Sequence, residues 1–204
     1  WLETIDHPLA VDEIRIPAET RKGGLWEVEK AIEQLSDLST EAEIAKLVLA
    51  RHAKGRLTLV VVNQVNRAVE VQRLIEEGCH DKKGKTRTRR HDAPEVRLVH
   101  SRFRGHERKA FREAFLRKGA TLPAGGRIIV ATQVVEAGVD LSASLLVTDL
   151  APWSSLVQRF GRCARYEKDK GAVVVLGMPK SAAPYDQGDL AAAAAAVAAI
   201  AAPK

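Results

Sequence analysis

The sequence predicts an open α/β domain on a mainly parallel sheet, and three observations carry that reading. Five short runs are apolar and β-branched at nearly every position: LTLVVV from Leu57, VRLVH from Val96, RIIVAT from Arg127, LLVTDL from Leu145 and AVVVL from Ala172. Runs that lack alternation belong to strands covered on both faces. Segments with helical spacing lie between them, and strand alternating with helix is the pattern of βαβ units. Finally, 204 residues with 46% hydrophobic against 28% charged content can bury a sizeable core as one domain, which excludes disorder throughout.

Upstream of the first run, LWEVEKAIEQL reads as a helix, and Glu41 to Ala53 as an amphipathic helix entered from a Ser39/Thr40 cap. Val65, Ala68, Val69 and Leu74 mark the helix after the Leu57 strand. The stretch GCHDKKGKTRTRRHDAPE, from Gly78 to Glu95, has no apolar periodicity and predicts a long surface loop at a sheet edge or rim. Ala110, Phe111, Ala114 and Phe115 mark the next helix, and Leu156, Val157 and Phe160 another, capped by Ser154 or Ser155. The tail LAAAAAAVAAIAAP favours a terminal helix. The chain thus divides into 1–56, a strand and helices leading in, a core over 57–178, and an alanine-rich helix over 179–204.

Only two cysteines, Cys79 and Cys163, stand far apart, which excludes a disulfide framework and favours a reducing, cytoplasmic setting. The longest charge-free apolar run is the alanine tail, too short to cross a bilayer comfortably, so no membrane span is expected. A chain that opens at Trp1, with its single methionine at Met178, reads as a piece of a larger polypeptide. Charge is uneven: residues 1–50 carry five basic against eleven acidic groups, residues 82–118 fourteen against four. The basic segment fits either a phosphate-backbone contact or a solvated, lysine-rich loop.

Two motifs fail on inspection. Gly84-Lys85-Thr86 is a poor P-loop, because the upstream glycine is at Gly78, one residue out of register, and no strand leads into it. His80-Asp81 and His91-Asp92 share one polar loop without the separate rigid elements that a metal site needs, so no metal is expected there. The informative region is Arg127 to Arg165. A strand ends at Ala131-Thr132, and a turn with Gly138 delivers Asp140 near the carboxyl end of the sheet, where ligands of open α/β folds sit. The following helix carries Gln158, Arg159, Arg162 and Arg165; spacings of four and three predict one face for Gln158, Arg162 and Arg165, a clamp for a charged oxygen cluster.

These strings resemble known motifs. ATQVVEAGVD is similar to motif V and QRFGRCAR to motif VI (Q-R-x-G-R-x-G-R) of superfamily 2 helicases, with VVNQVNRAVEVQRLI as motif IV. Together with LVHSRFRGHERKAFREAF they most resemble the second RecA-like domain of the CRISPR-associated type I helicase–nuclease, over about Leu57 to Leu176. Ala164 stands where the family usually has glycine, which is expected to stiffen the helix while leaving both arginines in register.

The resemblance implies a three-layer RecA-like fold without its own P-loop. ATP would lie between this domain and a missing first RecA-like domain that supplies the P-loop and the Mg²⁺ ligands. Arg162 and Arg165 would be arginine fingers at the γ-phosphate, with Gln158, Gly138 and Asp140 near the nucleotide. Thr132 and Gln133 would contact a nucleic-acid backbone. Asn63, Ser101 and Arg102, at strand ends, suit phosphate positioning at the same rim, although for Asn63 a plain turn role fits nearly as well. Implied partners are single-stranded DNA, the missing RecA-like and nuclease domains, and a CRISPR RNA-guided effector complex. Two alternatives stay open: a nucleic-acid-binding module that never meets ATP, and another superfamily 2 restriction or repair translocase.

Overall fold

The computed structural model describes residues 16–83, 86–166, 169–179 and 181–201. In chain order the strands are β1 (Glu29–Leu35), β2 (Leu57–Val61), β3 (His80–Lys83), β4 (Thr86–Arg89), β5 (Glu95–Val99), β6 (Arg127–Ala131), β7 (Leu145–Thr148) and β8 (Lys170–Leu176). The helices are α1 (Glu41–Arg51), α2 (Val65–Gly78), α3 (Gly105–Phe115), α4 (Trp153–Phe160) and α5 (Gln187–Ala201). Six strands form one sheet in the order β1-β8-β7-β2-β6-β5, and every pairing in it is parallel.

The apolar runs form this sheet because both of its faces are covered. Leu59, Val61, Ile129, Ala131, Leu146, Val173 and Val175 face a core that includes Leu156 of α4 and Leu190, Ala193 and Val197 of α5. The alternate residues Val60, Val62, Ile128, Val130, Val147 and Val174 face Ile44 and Val48 of α1 and Ala68, Val71 and Ile75 of α2. This is the three-layer α/β arrangement expected. Thr40 caps α1 in a capping box with Glu43, as the Ser39/Thr40 signal predicts, and the tail supplies α5. Among the described residues, no helix is long and apolar enough to cross a membrane.

Three expectations need correction. LWEVEKAIEQL is not a helix: after a 3₁₀ turn at Gly24–Glu27 it becomes β1, paired along its length with β8. Its glutamates, lysine and alanine favour helix, but the free edge of β8 offers a full ladder of backbone hydrogen bonds, and tertiary pairing overrides propensity. β1 and α1, expected to lead into the domain, are therefore part of its sheet and core. The 78–95 loop, for its part, contains an antiparallel hairpin, β3 with β4, in the register His80↔Arg89 to Lys83↔Thr86; Gly84 and Lys85, of the rejected P-loop, lie outside the described residues.

The hairpin follows the end of α2 and precedes β5, whose first residue Glu95 lies beside Arg127 at the start of β6. It therefore sits at the amino ends of the strands, by the β5 edge and away from the carboxyl rim. There Arg89 pairs with Glu76, and Arg87 with Glu77 at 3.4 Å, so α2 neutralises part of its charge.

Candidate functional site

The region that the sequence marks is built around the two ends of α4. Pro152, at φ −49° and ψ 148°, sets the N-terminus in place of a serine cap, and Ser155 instead donates to Glu136 Oε2 at 3.2 Å. The helix stops at Phe160, with Gly161 as C-cap. Gln158, Arg162 and Arg165 consequently do not share a helical face, because only Gln158 is on the helix. Beyond Gly161 the chain runs alongside Ala143, whose N–H donates to Arg162 O at 2.8 Å and whose carbonyl accepts from Ala164 N–H at 2.9 Å. Ala164 does not stiffen a helix either: its φ of 42° lies in the left-handed region, where glycine is favoured.

The two arginines of this segment are held differently. Arg162 is 7% exposed, and its Nη1 and Nη2 donate to Val139 O at 2.7 Å and Glu136 O at 2.5 Å. It fastens the turn that carries Gly138, whose φ of +71° requires glycine. Burial, then the neighbouring charge of Arg165, pushes the Arg162 guanidinium below its ordinary value. Arg165 is more open, its side chain 39% exposed. Its Nε pairs with Asp140 Oδ1 at 3.1 Å and its Nη1 donates to Gly161 O at 3.2 Å, while Nη2 has no partner among the described residues. Gln158 is exposed on α4. Arg162, Arg165, Gly138 and Asp140 thus form one cluster at the end of α4.

Arg159, to which the sequence reading gave no role, is fully buried and joins this cluster to the strand ends. Its Nε pairs with Glu136 Oε1 at 2.8 Å, and Nη1 donates to Thr148 Oγ1 at 2.9 Å and Asp149 O at 3.2 Å. Nη2 lies 3.1 Å from both Asn63 Oδ1 and Tyr185 Oη. One guanidinium therefore ties α4 to the 133–140 turn, to β2, to β7 and to the segment before α5. The available signal was position: Arg159 falls three residues after Leu156 and four before Cys163, on the buried stripe.

Asn63, Ser101, Arg102, Thr132 and Gln133 all lie at the carboxyl ends of the adjacent strands β2, β5 and β6. Their side chains differ in access. Ser101 and Arg102 are exposed, with Arg102 Nη1 3.4 Å from Asn66 Oδ1. Thr132 is 1% exposed, and Gln133 Nε2 donates to Asn63 O at 2.9 Å. Asn63 is 6% exposed; its Nδ2 donates to Leu150 O at 2.8 Å and its Oδ1 accepts from Arg159. Beside it Asp149 accepts from Asn63 N–H at 2.9 Å and pairs with Arg67 at 3.2 Å, while burial pushes its carboxyl pKa up against those partners. The polar groups at the crevice between β2 and β7 are therefore engaged with one another, and Asn63, Arg67 and Asp149 line a cavity of about 310 Å³ there.

Comparison with known proteins places this geometry. The family model for the C-terminal region of the CRISPR-associated nuclease/helicase Cas3 matches residues 54–168, more than half of the chain. The chain belongs to the Cas3 C-terminal family. It is 34% identical over 182 residues to the CRISPR-associated endonuclease/helicase Cas3 of Thermus thermophilus, covering 71% of this chain and 19% of that protein. It superposes on a crystal structure of T. fusca Cas3-ADP with a TM-score of 0.63 at 25% identity, covering 88% of this chain and 22% of the other. The C-terminal domain of the DEAD-box protein Dbp5 shares the fold, at a TM-score of 0.51 and 19% identity over 83% of this chain and 85% of that one. The chain is thus a second RecA-like helicase domain of superfamily 2, and it spans about a fifth of the length of these two Cas3 proteins.

The unpartnered Nη2 of Arg165 and the exposed amide of Gln158 suit phosphate oxygens. Among the described residues no three His, Cys, Asp or Glu side chains gather to hold a metal.

Proposed function

We propose that the chain is the nucleotide-sensing half of an ATP-driven motor that moves along single-stranded DNA, with ATP and Mg²⁺ held mainly by a preceding RecA-like domain. The observation that carries this reading is the state of Arg165: two of its nitrogens are fixed and the third is free at the surface, as a preorganised cation for a phosphate brought from outside requires. Arg162 contributes in a second way, by holding the 136–139 turn on which Gly138 and Asp140 sit. Gln158 approaches the same phosphates from α4.

Ser101 and Arg102 contact the DNA backbone directly, while Thr132, Gln133 and Asn63 shape the rim around them. Asn63 acts through Arg159 and Gln133 and not as a free phosphate ligand, since its amide is engaged within the chain. The Arg159–Glu136 pair links the rim to the finger, so that domain closure on ATP alters the grip on DNA. In the full protein the partners are the nuclease domain and a CRISPR RNA-guided effector complex, in the cytoplasm.

The purified chain tests this division of labour. It should bind single-stranded DNA with an affinity that falls with salt and with Arg102→Gln, yet hydrolyse no ATP, because the phosphate cradle is elsewhere. DNA-stimulated hydrolysis by the chain alone would overturn the two-domain reading.

A further inference from the structure

Arg165 is held in place by a neighbour outside motif VI. We infer that Tyr166 is a positioning residue for ATP hydrolysis, acting on Arg165 through the shared carboxylate of Asp140; the inference rests on the role proposed above for Arg165. Asp140 Oδ1 meets Arg165 Nε at 3.1 Å and accepts from the Tyr166 hydroxyl, also at 3.1 Å. The same hydroxyl lies 3.3 Å from Asp140 O, so its single proton is shared between the carboxylate and the backbone carbonyl of Asp140.

Tyr166 is itself anchored through its backbone and its ring. Its N–H donates to Asp169 Oδ2 at 3.1 Å, and that oxygen also accepts from Ser142 Oγ at 2.5 Å. Ser142 Oγ in turn accepts from Arg165 N–H at 2.9 Å. The Lys118 ammonium stands 4.6 Å from the centre of the Tyr166 ring.

The half-exposed Asp140–Arg165 pair would by itself be loose, because exposed ion pairs gain little and cost side-chain entropy. A second donor on the same oxygen removes the rotation of the carboxylate, and with Gly161 O on Nη1 the guanidinium plane is set and Nη2 is aimed outward. Burial, with the hydrogen bond to Asp140, pushes the phenol up to about 12, so it stays a donor across the working range. Asp140 is on this account a support for Arg165 before it is a contact for the nucleotide.

Two measurements test the inference. In the 204-residue chain without nucleotide, the Arg165 guanidinium N–H resonances, with Nη1–H held by Gly161 O, should be resolved and slow to exchange with water, and Tyr166→Phe should speed that exchange about five-fold or more while leaving the melting temperature within about 2 °C. In the full-length protein, Tyr166→Phe should lower kcat for ATP about five-fold with KM unchanged. It should have no further effect in an Arg165→Ala background. An unchanged guanidinium N–H exchange rate, or a kcat loss that persists in full without Arg165, overturns the role of Tyr166. Should Arg165→Ala itself leave hydrolysis intact, the finger reading falls instead.

Discussion

Arg159→Met removes the guanidinium from the buried hub while keeping an unbranched apolar stem of similar length, so its cost isolates the polar network. Glu136, 17% exposed, loses its only salt-bridge partner among the described residues, and the Asn63 amide oxygen loses its donor. Thr148 still donates to Asp149 O at 2.9 Å and is affected less. Leaving one member of a buried ion pair costs about 3–5 kcal/mol, towards the lower end here because Glu136 reaches some water. An orphaned neutral acceptor adds about 1 kcal/mol. The expected loss is about 3–5 kcal/mol by urea denaturation, or roughly 6–20 °C in Tm for a domain of this size. Adding Glu136→Gln should restore about 1–2 kcal/mol, since the stranded charge is then gone. A loss under about 1 kcal/mol, or strict additivity of the two substitutions, would refute the hub.

His52 provides a pH dependence. Its Nδ1 lies 2.8 Å from Thr58 Oγ1 and its Nε2 2.9 Å from Gly125 O, and burial pushes the imidazole below its ordinary 6.5. The unfolded chain then takes up the proton first as the pH falls, so this stability is complete above pH 6.5 and is lost as the pH drops towards the folded value. The urea midpoint should decline less between pH 7.5 and 5.5 in His52→Gln than in the parent; an equal decline would remove His52 from the account. Ala164→Gly should relieve the left-handed backbone and raise stability by about 0.5–1 kcal/mol, with a lowered Tm as the contrary result.

The four central strands β2, β6, β7 and β8 were legible because a strand covered on both faces must be apolar at nearly every position, as in Leu59-Val60-Val61 and Ile128-Ile129-Val130, and β5, at an edge, kept Val96, Leu98 and Val99 as its signal. β1 was not, because an edge strand half open to water tolerates Glu29, Lys30, Glu33 and Gln34, which also favour helix. The β3–β4 hairpin carries no apolar signal at all, with Asp81 and residues 87–90 exposed. At the site, residue identity and chain order located Arg162, Arg165, Gly138 and Asp140 within one cluster. Residue spacing carries no sign of the end of α4 at Gly161, where backbone pairing with Ala143 takes over. Pattern alone also hid the contrast between a buried Arg162 and an open Arg165, because that depends on carbonyls of the 136–139 turn distant in sequence.

On the proposed reading Arg165 serves ATP hydrolysis and not DNA binding, and paired measurements on Arg165→Ala in the full-length protein separate the two roles. The kcat for ATP should fall by about 10³ or more with little change in KM, and lysine should rescue poorly for want of a planar fork. Nucleotide-free affinity for single-stranded DNA should stay within about two-fold, since Arg165 lies at the far end of α4 from the rim. Loss of nucleotide-free DNA binding with hydrolysis intact would contradict the account and make the chain a nucleic-acid-binding module.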